Sequence, residues 1–481
     1  MLCKDFAYPG LMRFFEEISA IPRPSFHEEK IADYLCDFAA ERGLEFYRDS
    51  IHNVLIKMKG SAGRENEPAI LLQGHSDMVC EKNEDTEHDF MRDGLKLYVE
   101  NGSLRAKGTT LGADNGDAVA VMLYVLDGAE SNLPSHPPIE CLFTVSEEVG
   151  LEGANSFDYS KISARRMINM DSADEKLIIA GCAGGQRSNI IYNPNVEKPC
   201  GESIRISIKG LAGGHSGEDI EKGRANANKL MGRVLLALSR KYDIRIASLT
   251  GGSKDNAIPR EAQAVISSND ADSVINEVSA MADIISRELG YDDADFSMTA
   301  KRVASVDKVM DKSSGDKILF LMATAQNGIF EMNKSICGLV EFSRNFGVME
   351  SSEDLSEVKL TFHTRSPRNS QIEYSVHQLE AYAELLGARV EHGAWYPGWE
   401  YAEVSPLRDA YAECYNELFG EDIKITTIHA GLECGIIKER VPDMDIISCG
   451  PIVLDLHSPE ESMDIASFER FFTIIKNVLA K

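Results

Sequence analysis

The chain has 481 residues, 43% of them hydrophobic and 26% charged, an ordinary balance for a globular protein too long for one core. Its formal net charge of −27, from 50 basic and 77 acidic residues, argues against a nucleic-acid partner, which needs clustered lysine and arginine, and against an anionic membrane surface. Ten cysteines at irregular spacing, with no CxxC pair, do not suggest a disulfide framework, and neither an apolar leader segment after Met1-Leu2-Cys3-Lys4-Asp5-Phe6 nor a run of about 18 apolar residues is seen, so a reducing cytoplasm is the expected location.

Residues 11–18 and 28–42 repeat apolar side chains every three or four positions, which predicts amphipathic helices separated by Pro22 and Pro24. Residues 53–58 read as a strand and 61–68 as a polar loop. Residues 69–73 form an apolar run leading into Gly74-His75-Ser76-Asp77. A strongly apolar helix over 117–127 opens just after Asp114. Two more apolar runs, 139–145 and 166–170, lead into Ser146-Glu147-Glu148 and Asp171. This alternation predicts an α/β fold, a mostly parallel sheet flanked by helices.

The middle of the chain differs. Residues 203–209 and 263–267 alternate apolar and polar side chains, as half-buried antiparallel strands do, and 225–238 and 271–289 read as long helices. A second strand pair, 341–349 and 357–363, is followed by a helix over 371–386, as though a βαββαβ unit were loosely duplicated. The last stretch returns to the first style, with a helix over 407–418 and a buried strand over 445–449, after which His457 follows. If His457 joins His75 in one site, the two ends of the chain fold together. Residues 1–184 and 397–481 then form one catalytic domain in two parts, and 185–396 an inserted α+β lid domain with an antiparallel sheet. Gly184-Gly185 and Trp395-Tyr396-Pro397-Gly398 are the expected crossing points.

Four apolar runs thus end near a residue able to bind a metal, and in open α/β sheets sites form beyond the carboxyl ends of strands. His75 and Asp77, two apart on an extended segment, face one way, with His75 on a metal and Asp77 behind it accepting the second ring N–H. Adjacent Glu147 and Glu148 point differently, so one can bind while the other stays free as a base. Asp114 is either a ligand or an acid favoured by the helix dipole. The mixed nitrogen and oxygen set suits zinc or a similar divalent ion, whereas Cys80, Cys141 and Cys449 read as buried thiols.

Ligand types, order and strand-end placement together resemble the M20 family of metallopeptidases. The stretches Ile21-Pro22-Arg23-Pro24-Ser25, Lys107 to Gly116, Gly181-Cys182-Ala183-Gly184-Gly185 and His429-Ala430-Gly431-Leu432-Glu433-Cys434-Gly435 are similar to its aminoacyl-histidine dipeptidase (PepD, carnosinase-like) branch over essentially the whole chain. The resemblance implies a zinc-peptidase-like catalytic domain with two ions, zinc by preference and manganese or cobalt as alternatives. Asp114 would bridge them, His75 and Asp171 would complete one, and Glu148 and His457 the other. Glu147 would be the general acid/base for a water shared by the ions, with Asp77 orienting His75. In the lid, the resemblance implies that His215 of Gly213-Gly214-His215-Ser216-Gly217 stabilises the oxyanion, Asn256 binds substrate, and Arg365 holds the substrate's terminal carboxylate, with Gly431 and Leu432 lining the pocket. Closure of the lid would bring His215 and Arg365 into play.

The implied substrate is a short peptide, Xaa-His (carnosine-like) or other dipeptides. The alternatives are a tripeptide aminopeptidase or N-acyl amino acid deacylase with the same metals, and a non-catalytic metal-binding scaffold. The chain has no GxSxG or HExxH motif, which argues against a serine hydrolase and a helix-based single-zinc protease. A homodimer is frequent in the family. Ser76 departs from the apolar residue expected between the histidine and aspartate of the HxD motif.

Overall fold

The computed structural model describes every residue except 1–5, 129–132, 134, 335 and 337, so the opening segment up to Phe6 lies almost wholly outside the described residues. The chain divides into two compact units. One comprises 1–181, 399–427 and 432–481, and the other 182–398 with 428–431. The short Ile428–Gly431 segment, expected within the catalytic part, thus clusters with the inserted unit.

The first unit is built on an eight-stranded sheet. Its order is Glu45–Arg48, Val54–Met58, Ile139–Thr144, Ile70–His75, Arg166–Asn169, Asp445–Ser448, Leu177–Cys182 and Lys424–Ile428. The central four strands are parallel to one another, whereas the pairings of Val54–Met58 with both of its neighbours are antiparallel. Ile70–His75 and Ile139–Thr144 are buried at every position, which explains their unbroken apolar runs: strands covered on both faces do not alternate. Ala113–Asp127 is apolar almost all round and buried along its length. Pro9–Ser19 and Ile465–Ala480 are amphipathic and join it in one core, where Phe14, Phe15, Phe468, Phe471 and Phe472 are each at most 1% exposed. Each such ring stabilises the unit by roughly 1.5–3 kcal/mol relative to exposure. A second sheet, in the order Val453–Leu454, Ser462–Asp464, Ser103–Ala106 and Leu97–Glu100, was not foreseen, because strands of two to four residues leave no readable alternation.

The second unit carries a nine-stranded antiparallel sheet. Glu202–Lys209, Ala227–Lys241, Ile244–Gly251, Ala262–Ser268, Ala271–Glu288 and Ser297–Arg302 form one βαββαβ unit whose strands lie in the order four, one, three, two. Gly184–Tyr192, Lys312–Thr324, Val340–Ser351, Val358–Ser366, Asn369–Leu386 and Arg389–Tyr396 form another, with the order two, three, one, four. The duplication expected from the sequence is therefore present. The first copy is spliced into the second between its first strand and first helix, and the copies join edge to edge through Thr250–Glu350 and Gly251–Met349. The spliced order is why the repeat reads so faintly. Cys141 and Cys449 are buried free thiols and Cys80 is a partly buried one. Among the described residues no helix is long and apolar enough to cross a membrane.

Candidate functional site

The four parallel strands of the first unit end together, and the residues just beyond them meet at that edge. Ile70–His75 ends in His75, which is buried. Asp77 reaches back so that Oδ1 lies 3.2 Å from His75 Nδ1. The same carboxylate accepts the backbone N–H groups of Glu147 (3.1 Å) and Glu148 (3.3 Å) and the Ser25 hydroxyl (2.8 Å). One buried acid therefore fixes an imidazole ring and the turn carrying both glutamates. That turn is held again at Ser146, whose N–H and hydroxyl both donate to Glu28 (2.8 and 2.7 Å). His75 Nε2 lies 2.9 Å from Asp114 Oδ1 and 3.9 Å from Asp171 Oδ1. The other oxygen of Asp114 lies 3.1 Å from His457 Nε2, which in turn is 3.3 Å from Glu148 Oε1.

Three groupings bring ligand atoms within 4.8 Å of one another: His75, Asp114 and Asp171; Asp114, Glu148 and His457; and His75, Glu147 and Glu148. Asp114 belongs to two of them, and a carboxylate has two oxygens to share. The electrostatics fit divalent cations. Burial pushes the Glu147 carboxyl well above its ordinary range, and Asp171 and Glu148 add to the push. Burial beside Asp114 raises Asp171 to about 8. Hydrogen bonds to Asp114 and Glu148 raise His457 to about 10. Acids crowded enough to hold protons, and to draw them onto a neighbouring imidazole, lack positive charge around them. Glu148 Oε1 is buried and faces the His457 ring nitrogen 3.3 Å away. Two imidazoles with carboxylates suit zinc, and also manganese or cobalt.

The second unit gathers His215, Asn256, Arg365 and Gly431. Gly214–His215 pairs with Ala257–Ile258, and Ser216 N–H donates to Asn256 O at 2.8 Å, so the His215 strand is tied to the turn that carries Asn256. Asn345 staples the turn on the other side through Asp255 O (2.9 Å) and Ala257 O (2.7 Å). Arg365 Nη2 lies 3.3 Å from His215 Nε2, and Nη1 donates to the Tyr396 hydroxyl at 2.8 Å. A Cβ at Gly431 would sit 2.7 Å from the Tyr396 ring, so only glycine fits against it. Arg365 Nε, His363 Nδ1 and His429 Nδ1 are buried without hydrogen bonds. Burial and the nearby Arg365 charge push the pKa values of His215 and His363 down, and that of His429 to about 3. Arg365 is thus a permanent cation beside imidazoles whose pKa values are lowered, with Asp255 Oδ2 3.5 Å from His363 Nδ1.

The model of peptidase family M20/M25/M40 matches residues 71–481. The chain belongs to this family. This M20 peptidase is 37% identical over 473 residues to the cytosol non-specific dipeptidase of Escherichia coli (strain K12), covering 98% of this chain and 96% of that one. It also superposes on the crystal structure of aminoacylhistidine dipeptidase from Vibrio alginolyticus with a TM-score of 0.91 and 35% identity, over 99% and 97% of the two chains. The aminopeptidase PepT of Bacillus cereus ATCC 10987, at 16% identity and a TM-score of 0.57 over 98% and 97% of the chains, shares the fold alone.

Several site residues of this M20 peptidase went unnoticed in the sequence. Glu433 is fully buried and accepts from Gln73 Nε2 (2.5 Å) and Thr144 Oγ1 (2.7 Å); nothing local distinguishes it from any acid opening a helix. Tyr396, part of an expected crossing point, ends the strand that places it on Arg365. Arg23 and Glu461 are buried charges that a sequence gives no means of recognising as buried.

Proposed function

We propose that this M20 peptidase is a two-metal dipeptidase of broad preference, Xaa-His substrates included, working in a reducing cytoplasm. The observation that carries it is the pair of ligand groupings sharing Asp114, with Glu147 beside them. His75, Asp114 and Asp171 would hold one cation, and Asp114, Glu148 and His457 the other. Cations held there would supply Lewis acidity to the scissile carbonyl and to water. Glu147 accepts the proton of the attacking water on its carboxylate and returns it to the departing amine nitrogen. Asp77 keeps His75 in the tautomer that presents Nε2 to a metal. Arg365 pairs with the substrate's terminal carboxylate, His215 supports the developing oxyanion, and Asn256 and Gly431 shape the pocket. The names of the Escherichia coli and Vibrio alginolyticus relatives support dipeptides as the substrate class.

A substrate panel tests this: carnosine, Ala-His, Ala-Ala, a tripeptide and N-acetyl amino acids, assayed before and after chelation and on return of zinc, manganese or cobalt. Dipeptides with free amino termini should be cleaved at least 100-fold faster than the others, and only with metal. Faster cleavage of N-acetyl amino acids or tripeptides would replace the proposal with deacylase or tripeptidase activity.

A further inference from the structure

Asp114 serves both cation groupings, so the turn that carries it sets the geometry of the whole centre. The turn is short and lacks regular structure: Gly112 is left-handed at φ 63°, and Asp114 and Asn115 have non-helical backbone angles. Two buried charges of opposite sign grip it. Arg23, 1% exposed, donates from Nη2 to Gly112 O at 2.5 Å and from Nη1 to Ser76 O (3.1 Å) and Asp77 O (2.9 Å). One guanidinium thus ties the Asp114 turn to the end of the His75 strand. Glu461, 2% exposed, accepts from the backbone N–H of Leu111 (2.8 Å), Gly112 (3.0 Å), Ala113 (2.8 Å) and Asp114 (3.4 Å). Glu461 stands four residues after His457, in the segment that Ser462–Asp464 pins to Ser103–Ala106. The carboxylate therefore ties the same turn to the segment carrying His457.

The cradle is fitted to the guanidinium. A Cβ at Gly112 would lie 2.7 Å from Arg23 Nη2, and one at Gly116 would lie 2.8 Å from it. Burying this arginine is costly, because its Nε has no hydrogen bond and desolvation lowers its pKa. Packing alone would be served as well by an apolar side chain of similar volume. A rigid fork does what an apolar chain cannot: it fixes the carbonyls of two segments at a set separation.

We propose that Arg23 and Glu461 are positioning residues that together clamp the Leu111–Asp114 turn and so set the affinity of the protein for its pair of cations. This rests on the two-cation reading above. The test uses the full-length protein and Arg23→Lys, Arg23→Met and Glu461→Gln variants, titrated with zinc against a chromophoric chelator and melted in the metal-free state. The wild type should bind two ions. Each variant should bind them about 10–100-fold more weakly. Lysine keeps the charge but loses the fork, so it should fail too. In Arg23→Lys and Glu461→Gln, turnover should recover as zinc is raised, with KM for dipeptide unchanged. If Arg23→Met does not fold, the other two variants carry the test. Wild-type affinity in both, with two ions bound, would overturn the clamp. Fewer than two ions on the wild type would instead overturn the reading beneath it.

Discussion

Replacing Glu147 with glutamine removes a proton acceptor while keeping the shape of the side chain. Among the described residues no hydrogen bond reaches the Glu147 carboxylate, so the change strands no donor. The turn itself is held by backbone N–H groups of Glu147 and Glu148 on Asp77, which the substitution leaves in place. Loss of a general acid/base is worth about 10²–10⁴ in rate, or ~3–5 kcal/mol of barrier. Stability should move the other way. Burial among Asp171, Glu433 and Glu148 pushes the Glu147 carboxyl well above its ordinary range, a cost of folding that a neutral glutamine does not carry. The metal-free variant should therefore melt at or above the wild-type temperature. The assay is kcat on Ala-His with zinc content measured on the same sample: turnover falls at least 100-fold with two ions retained. Glu147 also stands in a grouping with His75 and Glu148, so the competing outcome is concrete. Loss of an ion in parallel with activity would make it a ligand and refute its role as the base.

Three further outcomes are expected. Burial pushes the Glu433 carboxyl up to about 7, from an ordinary value of 4.5. The folded state therefore keeps a proton that the unfolded state releases, and this contribution is complete below about pH 4.5 and lost as pH rises toward 7, by at most about 3 kcal/mol. Glu433→Gln can still accept from Gln73 and Thr144, so urea midpoints of the metal-free proteins at pH 5 and 7.5 should show the variant gaining on the wild type at the higher pH; parallel curves would refute the burial argument. Arg365→Ala should raise KM for dipeptides about 10–100-fold, as loss of a charge-assisted pair costs ~1.5–3 kcal/mol, while a C-terminally amidated dipeptide is unaffected. Tyr396→Phe, which removes the acceptor 2.8 Å from Arg365, should raise KM by a smaller factor with kcat nearly unchanged; an equal fall in kcat would give the phenol a part in the chemistry.

Much of this architecture was legible because the central strands are buried on both faces. Residues 70–75 and 139–144 had to be apolar throughout, and an acid or histidine at the end of such a run stands out. His75, Glu147, Glu148 and Asp171 stand out in that way, whereas Asp114 precedes a helical pattern and His457 follows a loop, so the resemblance to the M20 family is what implies a place for those two. What stayed illegible depends on burial rather than residue type. Arg23, Glu433 and Glu461 look like surface charges in a chain with 77 acids, and only their backbone and side-chain partners, some 50 to 360 residues away, mark them as interior. The small Val453–Leu454 sheet was missed because its strands are too short for a period. The shift of residues 428–431 to the inserted unit was missed because a four-residue crossing has no compositional mark.

The inserted unit begins and ends on neighbouring strands, Gly184–Tyr192 and Arg389–Tyr396, with Gly185 paired to Tyr396. Nearly all of it is one uninterrupted stretch, 182–398, and so can assemble as soon as that stretch leaves the ribosome. The other unit must wait. Its sheet lacks the Asp445–Ser448 strand and its core lacks Phe468, Phe471 and Phe472 until the last part of the polypeptide is made. A nascent chain halted before residue 445 would therefore carry a finished module beside a half-built one with bare apolar faces, and it is this earlier-made portion that a chaperone would have to shelter.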